Sequence, residues 1–245
     1  VKLVFMDARV WRYIVTAISK TLSEAVFKAT EDGLSLRAMD PSRITMVDLL
    51  FPPTAFDEYS VDGEEELGVN ISDLVKILKR TGKEDQLELE SSGDRLTIIF
   101  RGKNTRKFVM PLLSLEAEEL PEPRLELKAR ARMLSTVFRE IIKDLEPIGD
   151  MVVFELSPEK LVARSMSDLG EAEVELTLES GNLIEVEAEG VERAAFSLDY
   201  FSDIVSAAQA SDLVTLHLST DMPCRVEYSL PQGAHLDFYV APRIE

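Results

Sequence analysis

The feature that most constrains this chain is that it repeats itself. Displaced by 127 residues, Val26-Phe27 and Leu34 to Met39 (LSLRAM) fall on Val153-Phe154 and Leu161 to Met166 (LVARSM). The same displacement lays Val69, Ile71, Leu74, Ile77, Asp85, Leu87 and Leu89 on Phe196, Leu198, Phe201, Ile204, Asp212, Val214 and Leu216. Chance similarity rarely keeps one register across separated blocks, so the chain reads as an internal duplication, and both halves should adopt one fold. A length of 245 residues suits two domains of about 120. The seam falls at Leu113 to Leu127 (LSLEAEELPEPRLEL), where Pro121, Pro123 and an acidic run favour an extended connector. The expected division is a first domain over 1–112, a linker over 113–127 and a second domain over 128–245. An ordinary surface loop is the alternative, and the midway position speaks for a linker.

Each half reads as strand, helix, several strands, second helix and more strands. Ala8 to Thr21 has helical spacing, with Val10, Ile14, Ala17 and Ile18 on one side. Ser72 to Thr81 is a second helix, with Ser72 as its predicted N-cap and Gly82 as its stop. Short apolar or alternating runs at 26–29, 34–38, 44–50, 87–90 and 96–100 predict strands. Asp32-Gly33, Asp40-Pro41 and Ser92-Gly93-Asp94 mark turns between them. The second half repeats the plan, with helices near 135–146 and 199–209. The expected fold class is α+β: antiparallel sheets, each covered by two helices on one face.

The chain carries 45 acidic against 27 basic residues, a net charge of −18, which taken alone argues against nucleic acid. The placement of the bases argues otherwise. Arg9, Arg12, Thr16 and Lys20 fall within about 80° of a helical wheel, opposite Val10, Ile14 and Ile18. No acidic residue occurs from Ala8 to Lys20, and Lys76, Lys79 and Lys83 align opposite Leu74, Ile77 and Leu78. One such helix would be an ordinary solvated face. Two in one acidic protein point to a surface that draws DNA to one side and repels it elsewhere. In the second half Arg139 and Lys143 are mixed with Glu140, Asp144 and Glu146, and the last helix has Asp199 and Asp203 and no base. Any DNA contact should therefore be dominated by the first half. No recognition-helix or zinc-finger signature is present, so binding would follow the backbone and ignore sequence.

Chemistry for an enzyme is not evident. His217 and His235 lack a metal or nucleophile motif, and His217 reads as a strand residue. Cys224, the one cysteine, reads as a core thiol, rules out an intramolecular disulfide and suits a reducing compartment. Gly82-Lys83 lacks the earlier glycine of a phosphate-binding loop, since Ile77 stands there. Glu64 to Glu66 could hold a cation but reads as an exposed turn. A metal-dependent hydrolase using the acidic residues stays as a third reading, with no metal or cofactor expected. No apolar run reaches the ~18 residues of a membrane span and no secretory signal is seen, so a cytoplasmic or nuclear protein without membrane contact is expected.

Leu36 to Leu49 (LRAMDPSRITMVDL), Leu67 to Arg80 (LGVNISDLVKILKR), Ile148-Gly149-Asp150 and Ala241 to Glu245 (APRIE) together resemble proliferating cell nuclear antigen, the sliding clamp of eukaryotes and archaea, in its archaeal form. The resemblance spans the whole chain. It implies three subunits of two similar domains closing a ring, with helices lining a channel for duplex DNA. By position Arg12, Lys76, Lys79 and Lys143 match channel bases of the family. Asp199 and Ser206 stand where the family carries bases in the last helix, which weakens any second-domain contact. The resemblance implies a head-to-tail pairing of an edge strand near Lys103 to Pro111 with one near Leu169 to Thr177. Lys103, Arg106 and Lys107 would meet Glu171, Glu173 and Glu175, though chance placement of surface charge is the alternative.

The resemblance also implies a docking site for short partner peptides at Met39, Ile44, Met46, Leu120, Pro223, Tyr239, Val240, Ala241 and Pro242. Methionine adapts to varied apolar anchors; from the sequence alone a core role for some of these residues is equally open. Implied partners are DNA polymerase, clamp loader, flap endonuclease and DNA ligase. The ring would be a homotrimer or a heterotrimer with paralogues. The alternative to a DNA-encircling clamp is a scaffold of the same fold that never encloses DNA.

Overall fold

The computed structural model describes residues 1–244; Glu245, the last residue of the stretch that resembles the family tail, lies outside them. The chain divides into two compact units. The first holds Val1–Pro41, Val47–Pro121 and Leu230–Leu236, and the second holds Ser42–Met46, Glu122–Ser229 and the segment from Asp237.

The first half of the sequence runs β1 (Lys2–Phe5), α1 (Ala8–Ser19), β2 (Glu24–Thr30), β3 (Gly33–Met39), β4 (Thr45–Phe51), β5 (Glu58–Ser60), β6 (Glu65–Asn70), α2 (Ile71–Leu78), β7 (Gln86–Ser92), β8 (Arg95–Arg101) and β9 (Thr105–Pro111). A single 3-10 turn at Pro53–Ala55 precedes β5. In the first unit β5, β1, β7, β8 and β9 form one antiparallel sheet in that order, and β6, β2, β3 and β4 lie in another. Trp11 of α1 packs between them, against Phe5 of β1 at 6.0 Å and Phe51 of β4 at 4.5 Å. Leu3, Ile14, Ile18, Phe51 and Phe100 are wholly buried around it.

The second half runs β10 (Ala129–Leu134), α3 (Ser135–Leu145), β11 (Met151–Leu156), β12 (Lys160–Ser167), β13 (Gly170–Thr177), β14 (Leu183–Ala188), β15 (Glu192–Ser197), α4 (Leu198–Ile204), β16 (Leu213–Leu218), β17 (Cys224–Ser229) and β18 (His235–Val240). Within the second unit β13, β12, β11 and β15 form one antiparallel sheet, and β14, β10, β16, β17 and β18 are neighbours in another. Phe138 of α3, Phe154 of β11, Phe196 of β15 and Phe201 of α4 make its aromatic core, with Phe154 and Phe201 centroids 5.2 Å apart.

The displacement read from the sequence governs the backbone as well. Helices start at Ala8 and Ser135 and again at Ile71 and Leu198, each pair 127 residues apart. Their first amides are tied alike: Ala8 N–H donates to Asp85 O and Ser135 N–H to Asp212 O, while Ile71 N–H donates to Ser23 O and Leu198 N–H to Asp150 O. The α+β class, with antiparallel sheets and two helices per half, is as expected.

Several local readings are corrected. The cap of α2 is Asn70, whose Oδ1 accepts from Asp73 N–H at 3.0 Å; Ser72 instead donates its hydroxyl to that same oxygen. The helix stops at Leu78 because Arg80 and Thr81 amides turn back to Ile77 and Leu78 carbonyls, a tighter spacing that ends the α-helix before Thr81. The last predicted helix ends at Ile204 and continues as a 3-10 turn over Val205–Gln209. Glu65 and Glu66 are not in a turn but in β6, where Glu65 accepts from the Ser91 hydroxyl at 2.6 Å.

After β9 the chain leaves regular structure, but Leu113 still pairs with Gly68 at the free edge of β6, its N–H donating to Gly68 O at 2.8 Å. The approach is so close that a methyl group on Gly68 would collide with the Leu113 carbonyl oxygen. Further along, the Leu120 carbonyl accepts from Arg37 Nη1 at 3.4 Å. Gly68→Ala is therefore expected to push Leu113 off β6, at a cost of about 1–3 kcal/mol for overpacking. Faster amide exchange at Leu113, with unchanged exchange in the second unit, is the expected signature.

Candidate nucleic-acid interface and docking surfaces

Helix α1 buries Ala8, Trp11, Ile14, Val15, Ala17 and Ile18. Val10, placed on the apolar side by the wheel, is only half-buried at its margin. The opposite side presents Arg9, Arg12, Thr16 and Lys20, and α1 packs against α2, so two basic helices are neighbours in the first unit. Helix α2 buries Ile71, Leu74, Val75 and Leu78, leaving Lys76 and Lys79 exposed and Ile77 intermediate. Lys83 stands beyond the helix, in an exposed turn with Gly82 and Glu84.

The bases are not equivalent. Asp7, the N-cap of α1, accepts from the Arg9 amide at 3.0 Å and from Arg9 Nε at 3.1 Å, and its second oxygen lies 3.0 Å from Nη2. The side-chain hydrogen bond from Arg9 holds the Asp7 carboxyl below its ordinary range. Lys76 pairs with Asp73 at 3.1 Å. In the second unit Arg139 and Lys143 of α3 both approach Glu140, at 3.8 and 3.9 Å. Arg12, Lys20, Lys79 and Lys83 have no carboxylate within 4.0 Å among the described residues, and the Arg12 guanidinium rests 5.9 Å from the Tyr13 ring centre. Among the DNA-binding candidates these four, all in the first unit, are thus the ones whose charge is least answered by the protein itself. Asp7 lies one residue before the acid-free run from Ala8 to Lys20 and partly answers its charge at Arg9.

Among the open sheet edges, β9 and β13 are the two that carry the interface candidates. Strand β9 pairs with β8 alone and β13 with β12 alone. Thr105, Lys107 and Val109 stand exposed on one face of β9, and Glu171, Glu173 and Glu175 on one face of β13. Lys103 lies in the turn before β9 rather than in the strand, because Gly102 N–H closes onto Asn104 O. Arg106 points to the other face, where it donates to the Arg80 carbonyl at 2.8 Å and binds the Asp85 carboxylate. Glu173 is held by Arg164 at 2.7 Å and Glu175 by Lys160 at 3.2 Å, both from β12, whereas Glu171 lies opposite Met166. Lys103, Lys107 and Glu171 are accordingly the interface candidates with no ion pair within 4.0 Å among the described residues.

Some docking candidates belong to the first unit and some to the second. Met39, half-buried in β3, and Leu120 belong to the first. Ile44, Met46, Pro223, Tyr239, Val240, Ala241 and Pro242 belong to the second. There the Ala241 amide donates to Ile44 O at 2.9 Å and the Arg243 amide to Ala195 O at 2.7 Å, which pins the segment after β18 on both sides of half-exposed Pro242. Met46 and Val240 are buried, so their contribution is to the floor rather than the surface.

Cys224 is buried in β17, and burial pushes its thiol far above the ordinary range. His217 lies in β16 with Nε2 3.4 Å from Glu227 Oε1. Among the described residues no three His, Cys, Asp or Glu side chains are grouped to hold a metal ion, and no helix is long and apolar enough to cross a membrane.

Comparison with known proteins places the chain in a family. The domain model described as proliferating cell nuclear antigen, N-terminal domain, matches residues 1–119, and that of the C-terminal domain matches 122–243. A protein named DNA polymerase sliding clamp 3 from Aeropyrum pernix is 44% identical over 242 residues, covering 98% of this chain and 97% of the relative. The DNA polymerase sliding clamp of Thermofilum pendens is 38% identical over the full length of both. Among solved structures, a chain of a PCNA2–PCNA3 complex from Sulfolobus tokodaii superposes with a TM-score of 0.94 at 33% identity, covering all of both chains. Since both halves are matched in order, and relatives align from end to end, this chain belongs to the proliferating cell nuclear antigen family.

Proposed function

We propose that this chain is one subunit of a DNA sliding clamp, a closed ring that encircles duplex DNA and tethers replication and repair enzymes to it. The observation that carries the reading is the charge separation: a protein of net charge −18 gathers Arg12, Lys20, Lys79 and Lys83, without carboxylate partners, on two neighbouring helices, their C-terminal ends and the turn after the second. A basic face on an acidic body attracts the phosphate backbone without reading bases. The open β9 and β13 edges, basic and acidic, suit a head-to-tail contact between copies, which closes into a ring when the rotation allows. Three subunits, identical or paralogous, are proposed; the Sulfolobus tokodaii structure pairs two different chains.

The ring holds DNA by topology and has no catalytic role of its own. Polymerase, clamp loader, flap endonuclease and ligase dock through short peptides at the segment after β18, with Met39, Ile44 and Leu120. The site of action is the cytoplasm, with the chromosome. The test is topological: protein loaded on a nicked circular duplex should stay bound at high salt and run off once the circle is cut. Equal release from both forms would instead favour a scaffold of the same fold that does not enclose DNA. That second reading draws on the local carboxylates that engage Arg9, Lys76 and Lys143.

A further inference from the structure

Arg106 is one residue from the start of an open edge strand, yet its guanidinium is turned inward. It binds the carboxylate of Asp85, which is 4% exposed, and donates to the Arg80 carbonyl at 2.8 Å. The Asp85 Oδ2 also accepts the Gly82 amide at 2.5 Å. Gly102, in the turn that leads into β9, approaches Asp85 Oδ1 so closely that any side chain there would collide with it. A buried carboxylate is tolerated only when it is paired and hydrogen-bonded, so these partners form a set that is made or lost together. The set joins two places. One is the beginning of β9; the other is the 79–83 turn, whose carbonyl at Arg80 and amide at Gly82 are both held while Lys79 and Lys83 project outward.

The duplication supplies an internal control. The backbone tie from helix to aspartate is present in both units, from Ala8 to Asp85 and from Ser135 to Asp212. The side-chain clamp is not. The positions 127 residues beyond Lys79 and Lys83 are Ser206 and Ala210, Asp212 is exposed, and β18, the strand that corresponds to β9, contains no arginine. The half of the sequence that lacks the basic turn also lacks the arginine that would fasten it.

We infer that Arg106 and Asp85 are positioning residues that couple the β9 edge to the Lys79–Lys83 turn, so that duplex DNA at the turn and a neighbouring subunit on β9 strengthen each other's hold. The inference rests on the DNA-facing reading of α1 and α2. A β9 strand without a neighbour can fray from its Thr105 end and draw Arg106 away, which frees the turn. A strand pinned by a second copy or a paralogue keeps the turn fixed. Coupling of this kind is reciprocal, so DNA fixed at the turn must protect the edge by the same factor.

The test is subunit exchange between differently labelled assembled rings, homomeric or completed with paralogues, followed with and without a short duplex. Duplex should slow exchange about fivefold or more in the natural protein, the lower range of such couplings. Asp85→Asn keeps the shape and an acceptor for Gly82 but removes the charge that holds Arg106, and the slowing should vanish. Arg106→Lys keeps the charge on β9 but not the fork that reaches Arg80, and it should behave like Asp85→Asn. A role limited to surface charge predicts full rescue by lysine, so a retained effect in Arg106→Lys overturns the coupling. Thermal unfolding of each variant separates a general loss of fold from the loss of the duplex effect. The double variant Lys79→Glu with Lys83→Glu separates the two levels of reading. Loss of the effect there, with retention in Asp85→Asn, overturns the coupling alone. Retention in all variants overturns the DNA-facing assignment and the coupling with it.

Discussion

Replacing Arg12, Lys79 and Lys83 together by glutamate should weaken duplex binding by about 10²-fold or more while leaving assembly intact. Each base that neutralises a phosphate contributes about 0.9 to the slope of log affinity against log salt, so losing three should flatten that slope by about 2.7. Reversal adds repulsion, and like-charge juxtaposition costs several kcal/mol. None of the three lies on β9 or β13, and none pairs with a carboxylate in the fold, so neither edge nor core should change. Lys76→Glu alone should do less than Lys79→Glu alone, because Asp73 already engages the Lys76 ammonium at 3.1 Å. Equilibrium titrations between 50 and 200 mM salt, with the assembled mass measured alongside, decide the matter. An unchanged slope in the triple variant would remove these residues from the DNA face.

Cutting the chain before Ala241 should reduce capture of polymerase, flap endonuclease and ligase peptides to background. The cut removes the Ala241 amide that reaches Ile44 O and the Arg243 amide that reaches Ala195 O. It also removes Pro242 and the Arg243 guanidinium, 3.4 Å from Asp150. Strand β18 ends at Val240, so buried Leu236, Phe238 and Val240 remain. Two backbone hydrogen bonds at about 1 kcal/mol each set the expected loss of stability, which is too little to unfold the unit. Peptide titrations by calorimetry, read against the unfolding temperature, separate docking from folding. Undiminished peptide affinity in the shortened chain would refute the docking assignment.

The architecture was legible because a duplication writes itself twice: the displacement that aligns Leu34 with Leu161 also sets the starts of α1 and α3. The basic stripe of α1 was legible because helical periodicity keeps Arg9, Arg12 and Lys20 together for its whole length. The same reasoning failed at Lys83, since a wheel assumes helix where the chain had already turned at Leu78. It misplaced the cap of α2 because Asn70 ends a strand and caps a helix at once. Charge partners across strands were out of reach. That Arg164 and Lys160 answer Glu173 and Glu175 depends on the β12–β13 register, which no local pattern states. The Arg106–Asp85 pair spans 21 residues, and an arginine on an edge strand gives no sign of facing inward.

The two open edges raise a problem of colloid chemistry before they serve any function. A freshly made chain carries two strands open on one side, with Val109 on one and Leu169 at 81% exposure beside the other, and such edges are templates for indiscriminate stacking. An excess of 18 negative charges keeps like molecules at a distance of about one Debye length, roughly 10 Å at 0.1 M salt. In the proposed head-to-tail pairing, approach then depends on where that repulsion is locally reversed, by Lys103 and Lys107 against Glu171. Acidity here acts as a dispersant, and the few uncompensated bases mark the places where it is switched off.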